Sequence, residues 1–218
     1  MSDWPVRLDL RADPEADLSA VVAHLLAGGL IAYPTETVYG VGGMLTEAAL
    51  AELSRLKGRE SDRPFLALVE SAEAVEGLAW TDAARELARI FWPGPLTLVL
   101  EDPLGIFPGG VRDRVTGAVG VRVSPHPLVA RLVTGSGGGL TSTSLNVPGE
   151  APATSGTDAV EVVRRLGGRN VLLLDSGTLP PSAPSTIVDC TGPEPVVRRE
   201  GTVPKERLRC VIPEIHGE

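Results

Sequence analysis

Apolar positions along the chain switch between two periods. Leu18, Val21, Val22, Leu25 and Leu26 recur at helical spacing, and Gly28-Gly29 supplies a stop. Leu30 to Tyr33 is instead a short unbroken apolar run ending at Pro34, which reads as a buried strand. The alternation continues. A helix is predicted after Thr46 as N-cap, through Leu50, Leu53 and Leu56 to Gly58, then a strand from Phe65 to Val69. A helix from Ala83 to Phe91, capped by Asp82, precedes strands at Leu96 to Leu100 and Val119 to Val123. Pro127 opens a helix carrying Leu128, Val129, Leu132 and Val133, and Leu140 to Leu145 reads as a strand. Asp158 caps a helix through Val160, Val163 and Leu166. Val171 to Leu174, Thr186 to Cys190 and Val196 to Arg199 are strands, the last two joined as a hairpin at Thr191-Gly192-Pro193.

The pattern is α/β, with about seven strands. The strands of the second half follow one another too closely for every crossover to hold a helix. A mixed parallel and antiparallel sheet with flanking helices is therefore expected. No long linker or repeat divides the chain, so residues 1–218 are read as a single domain. Its core would run from about 14 to about 210, with residues 211–218 as a tail that frays after Pro213. Ser176 to Ser185, rich in Ser and Pro, is read as a loop.

Composition narrows the chemistry. Hydrophobic residues make up 43% and aromatics only 4%, so aliphatic side chains must build the core. Cys190 and Cys210 have no CxxC companion, which leaves two buried, reduced thiols and no disulfide or cysteine-based zinc site. The N-terminus lacks a basic segment followed by an apolar run. No apolar stretch approaches the ~20 residues needed to cross a bilayer. A cytoplasmic protein without membrane association is the expectation. The net charge of −8 disfavours tight non-specific binding to nucleic acid, so direct RNA binding would need a local basic patch.

There is no GxxxxGK[ST] loop, no GxGxxG after a strand, no GxSxG elbow and no histidine pair at metal-ligand spacing; His24, His126 and His216 are scattered. Without a covalent nucleophile or a histidine acid–base pair, an enzyme here must work by positioning and charge stabilisation.

Polar residues do cluster just outside the apolar runs. Tyr33 to Gly43 places Thr35, Glu36, Thr37 and several glycines after a strand, where backbone N–H groups can approach a ligand. Lys57, Arg59 and Arg63 follow a helix and suit phosphate, although a solvated helix end would carry the same charges. Thr141-Ser142-Thr143-Ser144 and Asn146, bounded by glycines, offer neutral donors to oxyanions, or the hydroxyls of an edge strand facing water. Ser185-Thr186 and Arg198-Arg199 stand at strand ends. Arg122, flanked by valines, needs a partner if it is buried.

In order, PTETVYG, KGR, WPGPLTLVL, GVRV, TSTSLN and PSTIVD resemble the YrdC/Sua5 family of threonylcarbamoyl-AMP synthases, over about Ala20 to Gly201. The resemblance implies a YrdC-like twisted mixed sheet with a concave cleft, in the single-domain form of the family. It implies a nucleotidyltransferase that makes threonylcarbamoyl-AMP and pyrophosphate from L-threonine, bicarbonate or CO2, and ATP, for N6-threonylcarbamoyladenosine in tRNA. Lys57 and Arg59 would act on the ATP phosphates. Thr35, Arg122, Ser142 and Ser185 would contact threonine. Ser144, Asn146 and Arg199 would bind the nucleotide, with Mg2+ arriving on ATP and no protein side chain as its ligand. A downstream tRNA threonylcarbamoyl transferase complex would be the partner. The alternative is a YrdC-like paralogue that binds nucleotide or RNA without synthase activity. Two positions depart from the family pattern: Glu60 stands where proline usually follows KxR, and Leu68 where some members have a threonine-contacting histidine.

Overall fold

The computed structural model describes residues 4–58 and 64–217. Eleven strands form one sheet: β1 (Arg7–Asp9), β2 (Leu30–Pro34), β3 (Tyr39–Gly42), β4 (Leu66–Val69), β5 (Leu96–Glu101), β6 (Ala118–Arg122), β7 (Gly139–Ser144), β8 (Val171–Asp175), β9 (Thr186–Asp189), β10 (Val196–Arg199) and β11 (His216–Gly217). Their order across the sheet is β1-β8-β2-β3-β7-β4-β6-β5-β9-β10-β11. β8 runs parallel to β1 and β2, β4 to β6, β5 to β9 and β10 to β11, and the remaining pairs are antiparallel. The mixed sheet expected from the short connections is present, including the β9–β10 hairpin.

The strand count exceeds the reading, and each extra strand has a reason. β1 and β11 are short and polar, without apolar alternation. β3 reads as a glycine-rich turn, yet it lies fully buried between β2 and β7. Glycine is what allows it there, since a Cβ at Gly42 would collide with the Thr141 carbonyl. The hydroxyl-rich β7 is an interior strand, paired with β3 and β4, and not an edge.

Six helices flank the sheet: α1 (Ser19–Leu26), α2 (Glu47–Lys57), α3 (Asp82–Phe91), α4 (Pro127–Gly135), α5 (Gly156–Arg165) and α6 (Lys205–Arg209). Thr46 caps α2 as expected, accepting from the Ala49 N–H at 3.3 Å. Two caps fall elsewhere. Thr81, not Asp82, caps α3 by accepting from Ala84 N, and Ser155, not Asp158, caps α5 by accepting from Asp158 N. Both aspartates instead sit in the first turn, where their charge favours the helix dipole. The C-terminal segment is tied down: Ile215 is 1% exposed, and His216 N donates to Pro195 O as β11 joins β10. The frayed tail is thereby corrected. So is the pair of buried thiols, because Cys190 is buried while Cys210 is exposed. Burial pushes the Cys190 thiol up to about 12.

The sheet separates two apolar layers. The larger holds Leu50, Leu53 and Leu56 of α2, Leu87 and Phe91 of α3, Val163 of α5 and Leu208 of α6, against Leu96, Leu98, Val119 and Val121. The smaller holds Val21 and Leu25 of α1 and Leu128, Leu132 and Val133 of α4, against Ile31, Tyr33, Leu68, Leu140 and Leu174. With alternation along a strand, Gly120 and Arg122 of β6 and Thr97 and Val99 of β5 face the second side. There the sheet leaves a hollow of about 350 Å³ lined by Leu66, Thr97, Val99, Gly120, Ile187 and Asp189. No α1 or α4 residue lines it. Among the described residues, no helix is long and apolar enough to cross a membrane.

Candidate active site

The site begins where α2 ends. Gly58, at φ 59°, takes the left-handed C-cap position and stops the helix at Lys57. Lys57 is 2% exposed, and an ammonium so buried must be surrounded by acceptors. Its Nζ donates to Ser144 O at 3.0 Å, Asn146 O at 2.6 Å and Asn146 Oδ1 at 2.9 Å. Ser144 Oγ donates to the same Oδ1 at 2.8 Å, and Asn146 Nδ2 donates to Val147 O and Glu150 O. One cation thus holds the exit of β7 in a fixed shape. Arg59 lies outside the described residues, as do Glu60 and Arg63.

The turn after β2 closes on itself. Thr35 Oγ1 donates to Val38 O at 2.7 Å and accepts from Thr37 N and Val38 N, a hydroxyl-closed turn. It faces β7 across Gly40, where a Cβ would lie 3.2 Å from Ser142 Oγ and 3.7 Å from Thr35 Cγ2. Thr35 and Ser142 therefore approach each other at Gly40, which pairs with Ser144 in the β3–β7 register.

Arg122 is 4% exposed, and its required partner is Glu36, with Nη1 3.0 Å from Oε1. Ser124 Oγ donates to the other carboxylate oxygen at 2.8 Å. Leu68, opposite Arg122 in the β4–β6 register, is fully buried in the smaller core, so the family's histidine position is a packing residue here.

At the far end, Ser185 Oγ is 3.1 Å from Thr97 Oγ1. Arg199 Nη2 donates to Ser185 O at 2.8 Å and to its Oγ at 3.3 Å. A bulge between Val197 and Arg199 accompanies a division of labour, since Arg198 turns to Asp189 at 3.0 Å instead. Gly201 is required beside Ser185, because a Cβ there would strike the Pro184 carbonyl. Burial lowers the Arg199 pKa, and the like charge of Arg122 lowers it further, so the two guanidiniums lie within electrostatic reach.

The contacts fall into three groups: Lys57 with Ser144 and Asn146, Arg122 with Glu36, and Arg199 with Ser185, while Ser142 and Thr35 approach each other across Gly40. Their side chains are cations and hydroxyls, which suit oxyanions. Several participants had no assigned role in the sequence. Glu36 stood inside a motif without a task, and the only signal for it was that Arg122 needed a carboxylate. Thr37 stood in the same motif without a task, and Thr97 and Ser124 carried no signal, since single hydroxyls are common in strands and turns.

The profile of a family described as telomere recombination, Sua5/YciO/YrdC, matches residues 23–201. A protein of Chromohalobacter salexigens named threonylcarbamoyl-AMP synthase is 39% identical over 194 residues, covering 86% of this chain and 98% of its own. The Bacillus subtilis protein of the same name is 33% identical over 210 residues, covering 94% of this chain and 58% of that one. The structure of P. abyssi Sua5 complexed with L-threonine superposes with a TM-score of 0.85 at 31% identity, over 98% of this chain and 62% of that one. With the fold, the ordered motifs and these likenesses in agreement, the chain belongs to the Sua5/YciO/YrdC family.

Proposed function

We propose that this protein is a threonylcarbamoyl-AMP synthase, joining L-threonine, bicarbonate or CO2, and ATP, and releasing pyrophosphate. The observation that most supports this reading is that the buried Lys57 ammonium is knotted to Ser144 and Asn146, while Arg122 and Arg199 stand within electrostatic reach of each other. The relatives' names and the threonine-bound structure support it.

The neutral amine of threonine would first form an N–C bond to CO2 and lose a proton, which gives a carbamate; starting from bicarbonate, water leaves as well. A carbamate oxygen then attacks the α-phosphorus of ATP as the bond to pyrophosphate breaks, which gives a mixed carbamic–phosphoric anhydride. Anion on polyanion is repulsive in water, so cations placed beforehand are the catalytic need. Lys57 and Arg199 would offset that charge, together with Arg59. The triphosphate would bring Mg2+, whose chemistry is charge neutralisation. Asn146 Oδ1 already accepts from Lys57 Nζ and Ser144 Oγ, so the ion would be held by the triphosphate and not by these side chains. Threonine would be read by its hydroxyl against Ser142 and Ser185, with Thr35, whose Oγ1 closes its own turn, shaping the wall beside them.

The anhydride hydrolyses readily. A cytoplasmic tRNA threonylcarbamoyl transferase that takes it up promptly is the expected partner. Incubation with threonine, bicarbonate, ATP and Mg2+, followed by mass spectrometry, should give threonylcarbamoyl-AMP and pyrophosphate together. ATP binding without product would favour the non-synthase paralogue.

A further inference from the structure

Resting on the synthase reading above, we infer that Glu36 binds the ammonium group of the substrate, so that Glu36 and Arg122 together recognise the zwitterion of a free α-amino acid.

Buried polar atoms without a hydrogen-bond partner are rare in folded proteins. Among the described residues, Glu36 Oε1, Arg122 Nε and His126 Nδ1 are three such atoms near one another, and Tyr33 Oη lies beside them. Glu36 Oε1 and Arg122 Nη1 are 3.0 Å apart. Burial pushes the Tyr33 phenol up to about 12, and Ser142, Arg122 and Glu36 are the polar groups that act on it. Burial lowers the His126 pKa, and Glu36 is the charge that opposes the fall. Tyr33 and His126 thus flank the Glu36–Arg122 ion pair. That pair satisfies the charges of its members but not their hydrogen-bonding capacity.

The chemistry of the missing partner follows from the mixture. Arg122 Nε can only donate, Glu36 Oε1 can only accept, and Tyr33 Oη can do either. A simple anion would suit Arg122 and be repelled by Glu36, and a simple cation would meet the reverse. A ligand with a carboxylate and an ammonium one carbon apart suits both. Ser124 holds Glu36 Oε2 at 2.8 Å, so Oε1, paired with Arg122 Nη1 at 3.0 Å, is the oxygen that would turn to an amine. Arg199 stands within electrostatic reach of Arg122, so a ligand carboxylate meets more than one guanidinium. Glu36 and Arg122 neutralise each other, and the zwitterion would replace that one ion pair with two.

The test compares L-threonine with 2,3-dihydroxybutyrate, which carries a hydroxyl in place of the amine, by titration calorimetry. The native protein should prefer threonine by about tenfold or more, the usual scale for a hydrogen bond to a charged group. Glu36→Gln should lose about that factor for threonine and nothing for the hydroxy acid, so the preference disappears while ATP affinity stays. A retained preference in Glu36→Gln overturns the inference. So does an equal loss for both ligands, which is what a merely structural role would give. Should Glu36→Gln fail to fold by circular dichroism, Ser124→Ala decides. A loss of a few-fold confined to threonine supports the role, and no loss or an equal loss overturns it. A native protein that binds no threonine and makes no product removes the synthase reading itself, whereas product with unaltered Glu36→Gln selectivity removes only the role of Glu36.

Discussion

Lys57 holds structure directly, and under the synthase reading it would serve chemistry as well. Its buried ammonium organises three oxygens of the β7 exit. Lys57→Met keeps the length of the stem and removes the donor, leaving those oxygens without it. The expected cost is about 1–3 kcal/mol. The melting temperature should fall, and pyrophosphate release should drop by about tenfold or more. A variant with native melting and native rate would show that Lys57 does neither. The charge run around Lys57 was visible in the chain, but its burial was not. Three cations near a helix end look alike in sequence whether they face water or a ligand. Arg122 was the more legible case, since an arginine between valines demanded a carboxylate.

At the scale of elements, the helices and long strands were readable because their apolar periods are strong. The misreadings came from segments whose role is set by neighbours. β3 is a buried strand made of Tyr39, Gly40, Val41 and Gly42, and its glycines matter only because β7 comes so close. Its antiparallel register on β7 sets Gly40 opposite Ser144 and so presents the hydroxyls to the site. The caps of α3 and α5 were each misplaced for one reason: threonine or serine with an aspartate soon after offers two candidate caps, and geometry selects the hydroxyl. The Thr46 cap is testable on its own. Thr46→Ala should cost about 1 kcal/mol. That corresponds to a fall in melting temperature of about 2–4 °C. The turnover rate should stay near native, because Lys57 stands at the opposite end of α2. A large loss of rate without a change in melting would mean that the cap positions the site instead of stabilising the helix.

For the whole molecule, one side of the sheet carries the larger core and the other is only partly covered, which leaves the hollow beside Thr97. Titration reports on this arrangement. Burial holds the His126 pKa below its ordinary 6.5, so the unfolded chain takes up its proton first as the pH falls. Stability from His126 is then present above about pH 6.5 and is lost as the pH drops toward the lower folded value. Asp189 adds a second step. Its burial would raise its pKa, but hydrogen bonds from Thr191 and Arg198 hold it below 3.8, so its contribution is lost only at lower pH. Thermal scans should show the melting temperature falling from neutral pH downward in these two stages. His126→Gln should flatten the first stage alone, and an unchanged first stage would mean that His126 is not its source.

The chain by itself determined the α/β alternation, the mixed sheet, the core helices and the set of polar motifs, because those rest on local periodicity and on residue types a few positions apart. Only the tertiary structure decided that β3 and β11 are strands, that Cys210 is exposed, and that Glu36 is the partner of Arg122. These depend on contacts between residues far apart in sequence: Glu36 and Arg122 meet only because the turn after β2 and the end of β6 are brought together across the sheet. Local preference cannot encode which distant backbone will come within hydrogen-bonding distance, so pairing and burial were settled by the packing of the whole.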